Sequence, residues 1–525
     1  MTNPTPTAYD QVLYPNYTFP QTHPDRLASI ARLYGMKPAD ITHCRVLELG
    51  CGDGNNIVPM AYALPQAQFV GLDIAAVPIQ MGQARIAQLG LSNIQLQVAD
   101  LGRLDLDLGE FDFIICHGIY SWVPAEVRAS ILAICQAHLA PQGVAYISYN
   151  AYPGCHLREV TRDMMRFHTR GITDENNRTA QARSLVKWLA NSQVEETAYA
   201  AYLKEVDDRL DSKSNGALFH DDLADINQPF YFHEFASAAA QYGLQYLSEA
   251  VLADTQDHEF APEVGAQLNA IGEQDPLARE QYLDFLKGRT FRQTLLCHHS
   301  VNLDRNLQSS ALTELYVRSE AAPASVTPDI RGSTAEKFRS LSGAAIVTDT
   351  PLAKAAMFYL YENFPRFVPF AEMVMRAGAM LVELGAQEDA MEESGQDLAA
   401  VLLKTYCMGV TEVSTQPTPC ELVPSQYPQA SPLVRQQVRE GVLVTSLFHT
   451  NIKVDGDLSR QLLLLLDGTR SRQDVAEIFT EILAAGAGKN LTPAATQERD
   501  VFVAALPEQF APQFAVFARM GLLIA

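Results

Sequence analysis

Between Cys44 and Asn150 the chain alternates short apolar runs with helical patterns, and few architectures accept that alternation. The runs are "CRVLEL", "QFVGLDI", "NIQLQVAD", "FDFIICHG" and "VAYISYN"; the helical patterns between them are "NNIVPMAYAL", "PIQMGQARIAQLG" and "PAEVRASILAICQAHLAPQG". Short apolar runs bounded by turn residues read as buried strands, and apolar residues at spacings of three and four read as helices. Repeated units of this kind predict a parallel sheet with helices on both faces. Ligands of such sheets bind at the carboxyl ends of the strands.

The first of these ends is "VLELGCGDGNN", residues 46–56. A glycine-rich turn between strand and helix lets a ligand approach the backbone closely. A dinucleotide fingerprint would place its third glycine where Asn55 stands, and Glu48 at the strand end would repel a pyrophosphate. Gly50, Cys51, Gly52 and Gly54 beside Glu48 suit instead a ligand that carries both a cation and a carboxylate. Asp73 ends the second strand, where an acid accepts two hydrogen bonds from a ribose diol. Asp100 follows the third, within reach of a purine's exocyclic amine. Three acids at successive strand ends describe a nucleoside joined to a cationic amino acid: S-adenosylmethionine.

A formal net charge of −22 over 525 residues argues against a nucleic-acid binder that relies on phosphate attraction. The N-terminal stretch is polar and Pro-rich with no apolar segment, so it is not read as a signal peptide, and no apolar run is long enough to span a bilayer. The eight cysteines form no C-x-x-C pair and mostly sit in apolar segments, which suggests reduced, buried thiols in a cytoplasmic protein. His298 and His299 are adjacent rather than spaced for a helix-face metal site, and no metal is expected.

Beyond residue 157 "REVTRDMMRFHTR", "TAQARSLVKWLANSQ" and "AYLKEVDDRLDS" are amphipathic helices without strands between them. They read as an insertion whose apolar faces need covering, which suggests a homodimer. "FYFHEFASAAAQYGLQYLSEAVL" and "RTFRQTLLCH" add strands expected to complete the same sheet. "SEAAPASVTPDIRGSTAEK" reads as a linker, followed by two helices around a break at Pro365. The Pro-rich "STQPTPCELVPSQYPQASP" marks a second boundary. After it, "VDGDLSRQLLLLLDGTRSRQDVAEIFTEIL" reads helix, Asp-Gly turn, helix. Its second helix carries little positive charge, which favours a packing or protein-contact module over a DNA reader.

"YPNYTFPQTHPDRLASIARLYGMKP", "CRVLELGCGDGNNIVPMAYALP", "FVGLDIA", "HGIYSWVP" and "YISYNAYPGCH" resemble the bacterial class I methyltransferases with a methyltransferase regulatory domain. The rickettsial lysine methyltransferases that modify outer-membrane proteins belong to that family. The likeness is dense over residues 9–160 and looser over 217–300. It implies S-adenosylmethionine as cofactor, a Rossmann-like α/β sheet, a helical dimerisation insert, and mainly helical middle and C-terminal domains around an open cleft. The division expected is 1–156 for the cofactor-binding core and N-terminal strap, and 157–216 for the insertion. Residues 217–302 would be the regulatory region completing the sheet, 303–428 the middle domain, and 429–525 a winged-helix-like C-terminal domain.

Cofactor contacts are expected from Glu48, Gly50, Cys51, Gly52, Gly54, Asn56, Asp73, Ile74, Asp100, Leu101 and His117. On the acceptor side, "CHGIYSWVP" offers His117, Tyr120 and Trp122, and the fifth strand offers Tyr149, Asn150 and Tyr152. Aromatic faces can hold an ammonium or a sulfonium, and His117 is a candidate proton acceptor. For His117 the alternative is a structural histidine, and for the aromatic residues it is core packing. Cys155 stands where the family suggests a larger aromatic residue. Tyr14, Tyr17, Phe19 and His23 form either a lid over the cofactor or a strap packed on the surface. The Asn-Pro-Pro-aromatic motif of amide and adenine N-methyltransferases is absent from the sequence. The leading reading is methyl transfer to protein lysine. The alternatives are a small-molecule methyltransferase and a non-catalytic cofactor-binding scaffold.

Overall fold

The computed structural model describes residues 10, 17–104, 108–385, 395–486 and 512–524. Seven strands form one sheet: β1 (Arg45–Leu49), β2 (Gln68–Asp73), β3 (Ile94–Val98), β4 (Phe111–Cys116), β5 (Leu139–Asn150), β6 (Leu244–Glu249) and β7 (Phe291–His298). Their spatial order is β3-β2-β1-β4-β5-β7-β6. The first five run parallel, and β7 lies antiparallel between β5 and β6. The order reverses at β1, so the crevice of the switch point opens at the end of "VLEL".

The helices α1 (Pro24–Leu33), α2 (Ile57–Ala63), α3 (Ala76–Leu89) and α4 (Ala125–His138) accompany the sheet. Gly90 caps α3 in the left-handed conformation, as its position after the last apolar repeat suggests. α4 stops at His138, and "LAPQG" then runs extended into β5 rather than closing the helix. Pro141 lacks the N–H a further helical turn needs. Val46, Leu47, Ile114, Ile115, Ala145 and Tyr146 are fully buried, as expected for strands covered on both faces.

The apolar core on one face of the sheet continues without a break from Leu27, Val46 and Phe113 to Val317, Phe338, Ala356 and Met373. The described part of residues 303–428 therefore packs onto the sheet as part of its own core. The stretch read as a linker is not one. Ala322–Pro323, Glu336–Arg339 and Ala345–Thr348 form a three-stranded antiparallel sheet. Long-range anchors hold it: Phe338 is fully buried, and Lys354 Nζ donates to the carbonyls of Asp329, Gly332 and Thr334. Composition alone carries no trace of such contacts.

The insertion begins with α5 (Cys155–His168), followed by helices Glu175–Asn191, Ala198–Ser212 and Asn215–Asp221. Their apolar faces meet one another through Met165, Ala182, Val186, Val206, Leu210 and Leu218. The faces expected to need a second copy are thus covered within the chain, while Leu157, Phe167, Trp188 and Val194 stay exposed. The C-terminal module has a separate core that includes Val434, Leu463, Val475 and Phe517. Its helices Pro432–Glu440, Asp457–Leu465 and Arg472–Gly486 flank a hairpin of Leu443–Thr445 and Asn451–Lys453. It seats against α3, where Arg85 pairs with Glu440 at 3.3 Å and Gln436 Nε2 donates to Gln88 Oε1 at 2.6 Å. Among the described residues no helix is long and apolar enough to cross a membrane.

Candidate cofactor and acceptor site

In the turn after β1, Gly50, Gly52 and Gly54 adopt φ of 78°, 55° and 77°, a region that favours glycine. The N–H groups of Gly50 and Cys51 both donate to Leu72 O, at 2.7 and 3.1 Å. Gly52 N donates to Asp73 Oδ2 at 2.8 Å, and Gly54 N to Cys51 O at 2.9 Å. The N–H groups of Gly50, Cys51, Gly52 and Gly54 are thus engaged within the fold. What the glycines contribute is conformation and close packing: a Cβ at Gly50 would collide with Ile119, and one at Gly54 would crowd Leu96 and Val58. The side chain of Cys51 is buried against Gly71, because residues after a buried strand still feed the core.

Glu48 is the unusual group. It is 4% exposed. Its Oε1 accepts from Asn56 Nδ2 at 2.7 Å, and its buried Oε2 has no hydrogen-bond partner among the described residues. Burial first, with Asp73 and Asp53 adding repulsion, lifts its pKa from 4.5 to about 8, although the Asn56 bond opposes the rise. Asn56 uses every valence of its amide. Nδ2 donates to Glu48 and to Thr22 Oγ1 (3.0 Å), and Oδ1 accepts from Phe19 N (2.9 Å) and lies 3.1 Å from His449 Nε2. The backbone N–H of Phe19 can only donate, which orients the amide and makes His449 Nε2 a donor.

Asp73 accepts from Gly52 N through Oδ2 and from Ala75 N through Oδ1, both at 2.8 Å. Each oxygen thus holds one backbone N–H and keeps lone-pair capacity for a ligand. Burial raises its pKa against those two bonds. Ile74 beside it is 45% exposed, an apolar surface at the mouth of the crevice. Asp100 is exposed and accepts from Gly102 N at 2.9 Å, while Leu101 is buried.

His117 follows β4. Its Nδ1 lies 2.8 Å from Tyr146 Oη, and Tyr146 Oη donates to Gln293 Oε1 at 3.0 Å. A tyrosine has one proton to give, so His117 Nδ1 is the donor in that pair and Nε2 is left as the acceptor. Burial lowers the His117 pKa to about 4, and the ring is neutral at physiological pH. Phe19 packs against it at a tilt of 34° with centroids 3.8 Å apart, and Phe291 meets it edge-on at 6.1 Å. Phe19 thus belongs to a segment laid over the site. Tyr14 lies outside the described residues, Tyr17 is 41% exposed, and His23 is half-buried and caps α1 by accepting from Asp25 N.

The five acceptor candidates are not brought together. Tyr120 and Tyr149 are 3% and 1% exposed and pack in the core beneath the sheet end. Tyr149 stacks on Phe235 at 4.2 Å, and Tyr120 meets the same ring edge-on at 5.2 Å. Their assignment as acceptor-lining residues is corrected: alternation along β5 turns Tyr149 to that face, where helix Phe232–Gln241 covers it. Trp122 and Tyr152 both face α5. The Arg158 guanidinium lies 5.8 Å from the Trp122 ring centre; Tyr152 Oη donates to Glu159 Oε1 at 2.8 Å, and its ring stacks on His156 at 3.9 Å. Asn150 is buried and donates to Asn227 Oδ1 at 2.8 Å. Cys155 is buried, with its thiol on Thr290 O at 3.1 Å. Tyr146, Ser148 (whose Oγ accepts from Gly118 N at 2.8 Å beside His117), Phe291 and His449 were not found by sequence reasoning. Three are strand residues without a motif, and the fourth is brought in from the far end of the chain.

A buried carboxylate oxygen left unpartnered among the described residues, a tight glycine turn beside it and two further acids at neighbouring strand ends fit S-adenosylmethionine. These features and the strand order define a class I methyltransferase. Family profiles agree. Residues 46–143 match "Methyltransferase domain", 214–298 "Predicted methyltransferase regulatory domain", and 426–522 "PKMT, C-terminal winged helix domain". The chain belongs to the family of S-adenosylmethionine-dependent methyltransferases that combine these domains. An uncharacterised protein of Rickettsia prowazekii (strain Madrid E) is 31% identical over 477 residues, covering 89% of this chain and 85% of its own. A second from the same organism is 34% identical over 241 residues, 46% of this chain and 96% of its own. The solved structure of PKMT2 from Rickettsia typhi in complex with AdoHcy superposes with a TM-score of 0.84 at 26% identity, covering 98% of this chain and 100% of that one. The protein is an S-adenosylmethionine-dependent methyltransferase.

Proposed function

We propose that the methyl acceptor is the ε-amine of lysine in a protein substrate. The observation that carries this reading is the likeness over nearly the whole chain to a protein named PKMT2, a protein lysine methyltransferase. His117 supports it. Bound S-adenosylmethionine supplies an electrophilic methyl group on a positively charged sulfur. The unpartnered Oε2 of Glu48 provides the negative charge for the ligand's ammonium, and Asp73 the acceptors for its ribose. An acceptor amine has to arrive neutral and in line. A neutral imidazole with a free Nε2 lone pair orients such an amine by accepting its N–H. At a pKa of about 4 it does not strip an ammonium of its proton, so the amine loses that proton on leaving water. Phe19, Tyr146 and Phe291 exclude water around the imidazole, and Trp122 and Tyr152 line the approach along α5.

We also assign Gly50, Gly52, Gly54, Asn56, Ile74, Asp100 and Leu101 to the cofactor crevice, and place the domain boundaries at residues 156, 216, 302 and 428. The exposed Leu157, Phe167, Trp188 and Val194 support a homodimer through the insertion. Eight cysteines, seven of them buried, support a reducing, cytoplasmic setting. The deciding experiment is incubation with methyl-labelled cofactor and a lysate separated into protein and small-molecule fractions, with mass spectrometry of the labelled product. Label on lysine supports the reading. Label confined to carboxylates, hydroxyls or a small metabolite overturns it, and no label in either fraction favours a cofactor-binding scaffold.

A further inference from the structure

The turn Ser446–Thr450 joins the two hairpin strands of the C-terminal module, and it contains a strained residue. His449 has φ of 57°, the one non-glycine residue with positive φ among those described. Such a backbone persists only where its surroundings over-determine it, and it often marks a working position. Here the surroundings are explicit. His449 N donates to Ser446 O at 2.9 Å, Ser446 N to Thr450 O at 2.9 Å, and Leu447 N to Gly521 O at 2.8 Å. Phe448 sits 4.7 Å beneath the Arg318 guanidinium, and a Cβ at Gly521 would collide with its ring.

What this fixed turn holds lies in the cofactor site. His449 is 5% exposed and delivers its Nε2 to Asn56 Oδ1. Two residues on, Asn451 Oδ1 accepts from Thr18 N and Thr18 Oγ1, at 3.1 and 2.8 Å, and its Nδ2 donates to Thr18 O at 2.7 Å. Thr18 precedes Phe19, whose N–H is on Asn56 and whose ring lies on His117. One short turn therefore grips both halves of the arrangement: the amide that orients Glu48, and the strap that covers His117. Without the His449 donor, the Asn56 amide has less to prevent it from rotating. Rotation would aim Oδ1 at Glu48 Oε1, so that the ionised carboxylate needed for the ligand's ammonium would face a second acceptor.

We propose that His449 and Asn451 are positioning residues for methyl transfer, and that the C-terminal winged-helix domain completes the cofactor site of its own chain. The inference rests on the cofactor reading of Glu48 and goes beyond the acceptor reading. Separate contacts, Arg85 to Glu440 and Gln88 to Gln436, tie the domain to α3, so a variant in the turn leaves it docked.

The test uses the full chain, with AdoHcy affinity measured by calorimetry and initial rates separating kcat from KM for the cofactor. His449→Gly removes the donor while relieving the strained φ, and His449→Gln restores an N–H donor. Expected are at least tenfold weaker AdoHcy binding for His449→Gly, recovery to within threefold for His449→Gln, and faster amide exchange at residues 18–22 in Asn451→Ala. Leu458→Ala, an exposed position on the same domain, should bind like wild type. A His449→Gly chain that melts like wild type and binds AdoHcy within twofold of it overturns the proposal. Should His449→Gly fail to fold, unchanged affinity and unchanged exchange in Asn451→Ala overturn it equally. A wild-type chain that binds no AdoHcy removes the cofactor reading first and this proposal with it.

Discussion

Replacing Glu48 by glutamine should stabilise the ligand-free protein and cripple cofactor binding, and the structure supplies both magnitudes. The carboxyl pKa is lifted from 4.5 to about 8, mainly by burial. The folded chain therefore holds a proton that the unfolded chain has released. Folding stability is intact below pH 4.5 and falls as pH rises through about 8. At 1.36 kcal/mol per pH unit, the loss reaches up to about 3 kcal/mol at pH 7 and about 5 kcal/mol above pH 8. Glutamine has no proton to lose, and its carbonyl can still accept from Asn56 Nδ2. The denaturant midpoint of Glu48→Gln should match wild type near pH 4.5 and exceed it increasingly up to pH 9.

Binding should move the other way. A charge-assisted hydrogen bond is worth about 1.5–3 kcal/mol, so Glu48→Gln should bind AdoHcy roughly 10- to 150-fold more weakly. In wild type at pH 7 the incoming ammonium favours ionised Glu48, and binding should release up to about one proton. Calorimetry in buffers of different ionisation enthalpy reads that proton, and the release should vanish in Glu48→Gln. If the variant is less stable than wild type at pH 9, or binds within twofold of it with the same proton release, the account of Glu48 is wrong.

Asp73→Ala should weaken cofactor binding by about 1.5–3 kcal/mol per lost ribose bond; calorimetric affinities within twofold of wild type would sink the assignment. Tyr120→Phe and Tyr149→Phe should leave kcat unchanged, because both rings are core, whereas Trp122→Ala should reduce turnover more than AdoHcy affinity. Initial rates should rise with pH between about 6 and 9 as the acceptor amine loses its proton. A flat profile would count against an amine acceptor. Light scattering at micromolar concentration should report a dimer that Trp188→Glu converts to monomer, and a wild-type monomer would rule the dimer out.

The sheet was legible because each strand of "CRVLEL", "FDFIIC" and "VAYISY" is buried on both faces, which local composition records. The acids at strand ends were legible for the same reason, since strand, turn and acid are neighbours in sequence. Tyr120 and Tyr149 misled because an aromatic near a strand end fills a core as readily as it lines a cleft. The choice depends on which helix covers that face: Phe232–Gln241 does so here, more than eighty residues downstream of Tyr149. The sheet within the apparent linker was invisible because its anchors, such as Lys354 on three carbonyls, are contacts between distant segments. The homodimer argument assumed that amphipathic faces stay open, whereas the insertion's helices cover one another.

The amide of Asn56 and the carboxylate of Glu48 together explain why a buried acid is tolerated here. Every valence of Asn56 is used, so it is held in one orientation and turns a donor toward Glu48. A carboxylate with one oxygen held and the other buried without a partner is costly until a cation meets it. On the proposed role of Glu48 that cost is relieved when the ligand's ammonium binds, so the pKa lift and the ligand's charge both trace to one buried oxygen, Oε2. Three of the four groups that hold the amide lie outside the strand-turn-helix motif: Phe19 and Thr22 before the sheet, and His449 near the far end of the chain. On the proposed role of Glu48, recognition of the cofactor's charge is a property of the assembled chain, which the glycine motif locates but does not complete.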